Sequence, residues 1–507
     1  MCGIAGVWAD GETSIDMDVA RAAVQQMLHL IAHRGPDAEG FCEIDGVGVI
    51  GHRRLSIMDP VGGDQPIYSA DRTQAIIANG EIYNFPELRN ETLRNEVFAS
   101  ESDSEAILHL YARYGDDLVR HLEGMYAFAI VDRSRLVLAR DPLGIKPLYW
   151  ARERGLLYFA SEIKALAPFC SEVREFPPGT VFASDVGAHT FYKVPFTMPE
   201  SRPEAEWVGE VRSTLTEAVV SHCMSDVGLG AFLSGGLDSS IIAALAKIQL
   251  GSLLTFSVGI KGSSDLAAAR LVAEHLGTTH HEYIITEEEV LAHLPEIIHS
   301  LESFDQDLVR SAVPCFFTSR LAALHTKVIL TGEGADELFA GYTYHRAIND
   351  PVALHHELRR SVTTLHDINL QRADRLTMLH SIEGRVPFLD LRVVALAQRI
   401  PVSLKLKGNP AIEKWVLREA FADLLPASIV WRRKEQFDEG TGTATLLPKL
   451  IRSLISDEAA DEYRRRYPAV MLRSAEECYY HHVLVASYPN PAPVLANVAR
   501  WASNRIR

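Results

Sequence analysis

A chain of 507 residues is long enough for two or more domains with separate cores, and 47% apolar with 23% charged residues describes an ordinary water-soluble chain. A formal net charge of −16 argues against general nucleic-acid binding and against docking on an anionic membrane surface. The six cysteines (Cys2, Cys42, Cys170, Cys223, Cys315 and Cys478) lie far apart with no C-x-x-C pair, which excludes a zinc ribbon, disfavours a disulfide framework and points to a reducing cytoplasm.

Met1-Cys2-Gly3-Ile4 lacks a basic n-region and a long apolar h-region, so no signal peptide is expected, and no apolar run reaches membrane-spanning length. Removal of Met1 before a small residue leaves Cys2 with a free α-amine. That amine, of reference pKa about 7.7–8.0, can serve as the thiol's own base. His33-Arg34-Gly35-Pro36-Asp37 reads as a tight polar turn, and Gly51 to Ile57 carries cations into an apolar strand. Ala75 to Ala78 is a further strand running into Asn79-Gly80. As bare structure, Asn-Gly is a type I′ hairpin turn; as chemistry, the Asn amide and the next N–H make a two-donor oxyanion hole. Ser102-Asp103-Ser104-Glu105 before an apolar run reads as a capping box, in which Asp103 can still face an ammonium group. Short β-type runs follow at residues 125–131, 136–140 and 156–160.

Together, Cys2-Gly3-Ile4-Ala5-Gly6, the His-Arg-Gly-Pro-Asp turn, Arg54-Leu55-Ser56-Ile57, Asn79-Gly80-Glu81 and Ser-Asp-Ser-Glu resemble the class II glutamine amidotransferase domain. The resemblance implies an α+β N-terminal-nucleophile domain of αββα architecture. It also implies Cys2 as nucleophile and Asn79 with Gly80 as oxyanion hole. Glutamine would be held by Arg54 on its α-carboxylate and Asp103 on its α-ammonium, with Ile57 and Glu81 nearby. A guanidinium suits the first task because its fork pairs with both carboxylate oxygens.

Pro195, Pro199 and Pro203 cluster in a stretch without periodicity, which sets the boundary between a domain at residues 2–195 and another at 206–507. Trp207, Val208, Val211, Leu215 and Val219 recur at helical spacing. A buried strand ending at Leu233 then enters Ser234-Gly235-Gly236-Leu237-Asp238-Ser239-Ser240, and a buried helix follows. Two glycines and three hydroxyls at a helix N-terminus aim N–H groups at one spot and favour phosphate. The loop lacks the Gly-Lys-Ser/Thr ending of a Walker A loop; it has the pyrophosphate-loop signature of ATP pyrophosphatases, and Asp238 within it suits Mg²⁺. Leu253 to Gly259 and Val328 to Leu330 are further strands, the second feeding Thr331-Gly332-Glu333-Gly334-Ala335-Asp336-Glu337. Strand, loop and helix in this order imply an α/β doubly wound parallel sheet with ligands at its carboxyl end, bringing Asp238 and Asp336 toward one Mg²⁺.

With Leu365-His366-Asp367, Arg372, Ser381 to Asp390 and Trp431 to Phe437, these motifs resemble the glutamine-hydrolysing asparagine synthetases of the bacterial B type, in order and over nearly the whole chain. The resemblance implies an ATP-pyrophosphatase synthetase domain with C-terminal helices, and glutamine, aspartate and ATP as substrates. Leu233, Val258 and Gly332, with Thr331, would line the nucleotide site. Ser234 to Ser239 would hold phosphate and Asp238 with Asp336 Mg²⁺. Lys434 would face the leaving pyrophosphate, Glu333 would be general base, and Asp367 and Arg310 would bind the acceptor. In that family small hydroxyl residues are commoner where Asp307 and Leu308 stand, so a paralogue amidating another carboxylate is the alternative. A homodimer is expected by the same likeness, and nucleic acid is not expected as a partner. After about Leu447 the pattern supports helical packing alone.

Overall fold

The structure, a computed structural model, describes residues 2–9, 11 and 13–501. The expected loss of Met1 and the last six residues of the second domain lie outside this range. In the first part, strands are organised by the alternation of side chains across a pleat. One sheet holds β1 (Gly3–Ala9), β2 (Ala38–Ile44), β3 (Gly48–Arg54), β8 (Tyr149–Glu153), β9 (Leu156–Ala160) and β10 (Arg174–Glu175), in the order β10-β8-β9-β1-β3-β2. The other holds β4 (Ile67–Tyr68), β5 (Gln74–Ile82), β6 (Gly124–Asp132), β7 (Arg135–Arg140), β11 (Thr180–Ala183) and β12 (Gly187–Thr190), in the order β12-β11-β7-β6-β5-β4. All pairings in both sheets are antiparallel.

Ile4 and Trp8 of β1 meet Ala75 and Ile77 of β5 in the core between the sheets. Ala5 and Val7 point the other way, onto Val24, Met27 and Leu28 of α1 (Met17–Leu30). Ile76 and Ala78 likewise turn outward onto Ala106, Ile107 and Leu110 of α2 (Asp103–Tyr114). Each sheet thus has one helix-covered and one sheet-covered face, which is the αββα sandwich.

Irregular chain from 191 to 203 leads to α3 (Glu204–His222), whose Trp207, Val211, Leu215 and Val219 are buried. The second part is built on a parallel sheet of β13 (Leu229–Phe232), β14 (Leu254–Gly259), β15 (Thr279–Ile284), β16 (Val328–Leu330) and β17 (Glu383–Arg385). Its order is β15-β14-β13-β16-β17, so the chain winds one way from β13 and then returns to wind the other way from β16. The crevice where the direction reverses, between β13 and β16, is where loops splay and ligands bind in such sheets. α4 (Leu237–Leu250) follows β13, α5 (Ser264–Leu276) follows β14, and α6 (Glu287–Leu301), α7 (Gln306–Ala322), α8 (Asn369–Met378) and α9 (Ala475–Ala486) complete the frame used below. No helix among the described residues is long and apolar enough to cross a membrane.

The two parts meet through buried charges. Arg34 Nη1 donates to Glu162 Oε1 at 2.7 Å and, across the boundary, to Asp374 Oδ2 at 2.7 Å. Arg375 Nη2 lies 2.8 Å from Glu302, whose carboxylate also accepts from the Lys164 N–H at 2.7 Å. Arg385 reaches Glu81 at 3.2 Å and Glu383 at 2.6 Å. Charges this deep persist only when each has an opposite partner, and removing one member typically costs about 3–5 kcal/mol. A seam of this kind fixes one relative placement of the two parts because every cation must find its own carboxylate.

Candidate active site

The first site lies at the mouth of β1. Cys2 is 7% exposed, and its N–H donates to Asn79 Oδ1 at 2.9 Å, while its carbonyl accepts from Arg34 Nε at 3.1 Å. Asn79 and Gly80 stand inside β5, opposite Ala127 and Tyr126, so the hairpin-turn reading of Asn-Gly fails. β5 pairs with β6 along its whole length, whereas β4 covers only Ile76 and Ala75 on the other edge. On that second edge the Ala78 N–H donates to Gln65 Oε1 at 2.6 Å and the Ile82 N–H to Asp103 Oδ2 at 2.7 Å. Alternation puts the Gly80 N–H between them on the same edge. Asn79 Nδ2 is buried with no acceptor, which is costly in a finished core and natural where an oxyanion completes the pair. A Cβ on Gly80 would fall 2.1 Å from the Met125 carbonyl, so β6 can approach only a glycine.

Burial pushes the Cys2 thiol up, opposed by the Leu55 backbone and Arg54. Burial also raises Asp103 to about 6, against the Ile82 amide, and holds Glu81 well above the carboxylate range with help from Glu383 and Asp103. His52, fully buried and bonded at 3.1 Å to the Ala78 carbonyl oxygen, is lowered to about 3 by burial and stays neutral. Arg54 is buried, and its guanidinium closes on Asp64 Oδ1 at 2.7 Å and on the Asp59 carbonyl at 2.6 Å. Ile57 is buried with Leu55 in an apolar cluster. Ser102 makes no side-chain cap, and Glu105 instead accepts from the Ala99 and Ser100 N–H groups, so the capping box is absent. Asp103 is thereby tied to β5.

The second site is a cavity of about 390 Å³ at the carboxyl ends of β13, β14 and β16. Leu233, Ser234, Gly236, Asp238, Ser239, Val258, Thr331, Gly332, Glu333 and Asp336 line it as expected. Gly235 lies behind the loop: its φ is +69°, and a Cβ there would sit 2.4 Å from the Ala268 backbone. The Ser234 N–H donates to Ser239 Oγ at 3.2 Å and the Gly236 N–H to Ser234 Oγ at 3.2 Å, so the loop holds its own shape. Gly236 is the N-cap of α4.

Asp238 and Asp336 do converge, and lysines join them. Lys414 Nζ is 2.5 Å from both carboxylates, and Lys434 Nζ is 2.8 Å from Asp336 and 3.7 Å from Asp238. Burial works against the Asp336 anion, yet Lys414 and Lys434 hold it well below the usual range, and the two aspartates in turn raise Lys434. Asp238 Oδ1 is buried without a donor, an oxygen of the kind that a hard divalent cation takes. Glu333 on the rim pairs with Arg372 of α8. One turn of that helix therefore serves both sites, since Arg372 faces the cavity and Asp374 holds the Arg34 that touches Cys2.

Asp367 does not line the cavity. It lies beside His366, Glu175 and Arg140 at the seam, where burial pushes its carboxyl up, and the neighbouring Asn369 reaches the cavity in its place. Arg310 does line it, held side-on by Glu476 of α9. Lys414 and Trp501 line the cavity without having been expected there, Arg372 entered the sequence reading only as part of a motif, and Glu476 stands behind Arg310, so the segment after Leu447 does more than pack. Cys315 also faces the cavity, with burial raising its thiol to about 11.

A thiol at a strand N-terminus beside a two-donor edge, joined to a pyrophosphate loop at the switch point of a parallel sheet, defines an amidotransferase coupled to an ATP-cleaving domain. Two family models agree with that class: "Glutamine amidotransferase domain" matches residues 1–189, and "Asparagine synthase" matches 210–352 and 347–502. The chain is 37% identical to "Asparagine synthetase B [glutamine-hydrolyzing]" of Escherichia coli, over 97% of this chain and 92% of that protein. It is 37% identical to "Asparagine synthetase [glutamine-hydrolyzing]" of Asparagus officinalis (96% of this chain, 86% of that one) and 40% identical to "Asparagine synthetase [glutamine-hydrolyzing] 3" of Arabidopsis thaliana (87% and 79%). The chain belongs to the glutamine-hydrolysing asparagine synthetase family.

Proposed function

We propose that the protein makes asparagine from aspartate, glutamine, ATP and water, releasing glutamate, AMP and diphosphate, with residues 2–195 as glutaminase and 206–507 as synthetase. The observation that carries this reading is the pairing of an unsatisfied Asn79 amide beside Cys2 with the Asp238–Lys414–Asp336–Lys434 cluster beneath a pyrophosphate loop, in one chain.

In the first half-reaction the Cys2 thiol, its proton taken by the α-amine, attacks the glutamine side-chain amide. Asn79 Nδ2 and the Gly80 N–H stabilise the oxyanion, ammonia leaves, and water then hydrolyses the glutamyl thioester, releasing glutamate and restoring the Cys2 thiol. Asp103, mostly ionised at pH 7, holds the α-ammonium, and Arg54 the α-carboxylate once it exchanges Asp64, its exposed partner, for substrate. In the second, the aspartate β-carboxylate attacks the ATP α-phosphorus and the bond to pyrophosphate breaks, giving β-aspartyl-AMP. The loop N–H groups cradle phosphate, and Lys434 offsets charge on the leaving group. Asp238 and Asp336 would hold Mg²⁺, which neutralises triphosphate charge when bound. Ammonia then attacks the acyl carbon with Glu333 as base, and AMP leaves.

Six free cysteines suit a cytoplasmic location, and family likeness favours a homodimer. The test is to supply the purified protein with ATP and a panel of carboxylates, with glutamine or ammonium as nitrogen source. Formation of asparagine and AMP from aspartate is expected. AMP formed from another carboxylate alone would replace asparagine synthesis with the paralogue's reaction.

A further inference from the structure

After α9 the chain crosses the first part of the molecule before it returns to the nucleotide cavity. α10 (Ala492–Ala496) packs on residues Ile163–Leu166. Asn490 Nδ2 donates to the Ala167 carbonyl at 3.2 Å, and Asn497 Nδ2 to the Val173 carbonyl at 2.9 Å. Val494, between these two anchors, is fully buried. Shortly after Asn497 this strap enters the second part. Arg500 lies over the Phe304 ring at 5.1 Å, donates through Nη1 to the Val470 carbonyl at 2.9 Å and pairs with Glu477. The Trp501 N–H donates to Asp305 Oδ2 at 3.2 Å, an oxygen that Arg473 also holds at 2.7 Å. These ties set the half-buried Trp501 indole into the cavity wall, edge-on to Tyr342, with ring centroids 5.3 Å apart and planes at 76°. Tyr342 is itself fixed, its hydroxyl donating to Glu337 Oε1 at 2.5 Å and accepting from Asn369 Nδ2 at 3.0 Å.

We infer that Trp501 is a wall that keeps water from the acyl-adenylate, held in place by a strap anchored on the first part of the molecule. Asn497 is a positioning residue of that strap. This rests on the reading above that the cavity adenylates a carboxylate. The adenylate is a mixed anhydride, and its acyl carbon is open to any nucleophile that reaches it. Water attacking there breaks the bond from the acyl carbon to the phosphate oxygen, returns aspartate with one oxygen from solvent, loses a proton and releases AMP. ATP is then spent without an amide. A broad apolar ring excludes water while offering no nucleophile and no charge of its own. Because the strap is pinned at Ala167 and Val173, the wall stands in place when the part that frees ammonia is docked on the part that consumes it.

The test measures AMP formed per asparagine, with aspartate, ATP and glutamine in heavy-oxygen water. The wild type is expected to give a ratio near one. Trp501→Ala raises it about three- to tenfold, since water then competes with ammonia for the same carbon, and the excess AMP is matched by aspartate carrying solvent oxygen. Trp501→Phe stays near the wild type, and Asn497→Ala moves the ratio the same way by less. Glutamate release from glutamine reports that each variant is folded, and Trp501→Leu serves if Trp501→Ala fails that control. An unchanged ratio in folded Trp501 variants overturns the inference, whether or not KM for ATP or aspartate has risen. Solvent oxygen found in the AMP phosphate overturns it too, because water would then be attacking phosphorus and not the acyl carbon. A wild type that forms no AMP from aspartate overturns the adenylation reading, and the wall with it.

Discussion

The two sites are built on opposite electrostatic plans. The thiol site is a backbone edge: its donors are strand amides and one Asn side chain, and its carboxyls are pushed upward by burial, Asp103 to about 6. The nucleotide site is a charge lattice, in which two lysines hold Asp336 well below the ordinary range. The difference follows from what each must stabilise. A tetrahedral oxyanion carries one charge and is met by two preorganised N–H groups. A triphosphate carries several, and only fixed cations with a metal offset them.

The sharpest break between the plans is Cys2→Ala. Glutamine-dependent asparagine formation should fall by at least about 10³-fold, the scale seen when a catalytic nucleophile is removed, while synthesis from ammonium persists. Parallel loss of both activities would mean that the sites are not separate. Lys434→Ala acts from the other side. Pyrophosphate release should drop about 10²–10³-fold with either nitrogen source, as for loss of one preorganised electrostatic partner, with glutamate release from glutamine retained. Equal rates in the mutant would remove this lysine from the chemistry.

The smallest effect is a pH dependence. Asp103 must be ionised to hold an ammonium, so glutaminase kcat/KM should decline as pH falls through about 6, tending to about tenfold per unit below it. Asp336, held low by its lysines, should give ATP–pyrophosphate exchange no such limb in that window. Asp103→Asn, at lower activity, should flatten the glutaminase limb. A limb that survives in this variant assigns the titration to another group.

How much could be read beforehand differs in the same way. Cys2, Arg54, Asn79, Gly80 and Asp103 fall in short contiguous motifs because strand edges are made of consecutive residues. The loops Ser234 to Ser239 and Thr331 to Asp336 were legible for the same reason, each being one strand-to-helix turn. Lys414 and Glu476 carry no local signature, since a cation or carboxylate becomes a site residue only through the charge that faces it. Asp367 looked like a member of the acceptor site and is turned to the seam, and the cap expected at Ser102 gave way to a tie between Asp103 and β5.

By itself the sequence determined the two chemistries, the order of their domains, and the alternation and apolar runs that make a sandwich and a parallel sheet. These depend on neighbours in the chain, where geometry is set by covalent connection. Tertiary structure alone decided which charges pair. It placed Lys414 between two aspartates, closed Glu476 on Arg310, and gave α8 an arginine for one site and an aspartate for the other. Such pairings join segments tens to hundreds of residues apart. Desolvation makes each unpaired alternative too costly, and that cost exists only once the chain has folded.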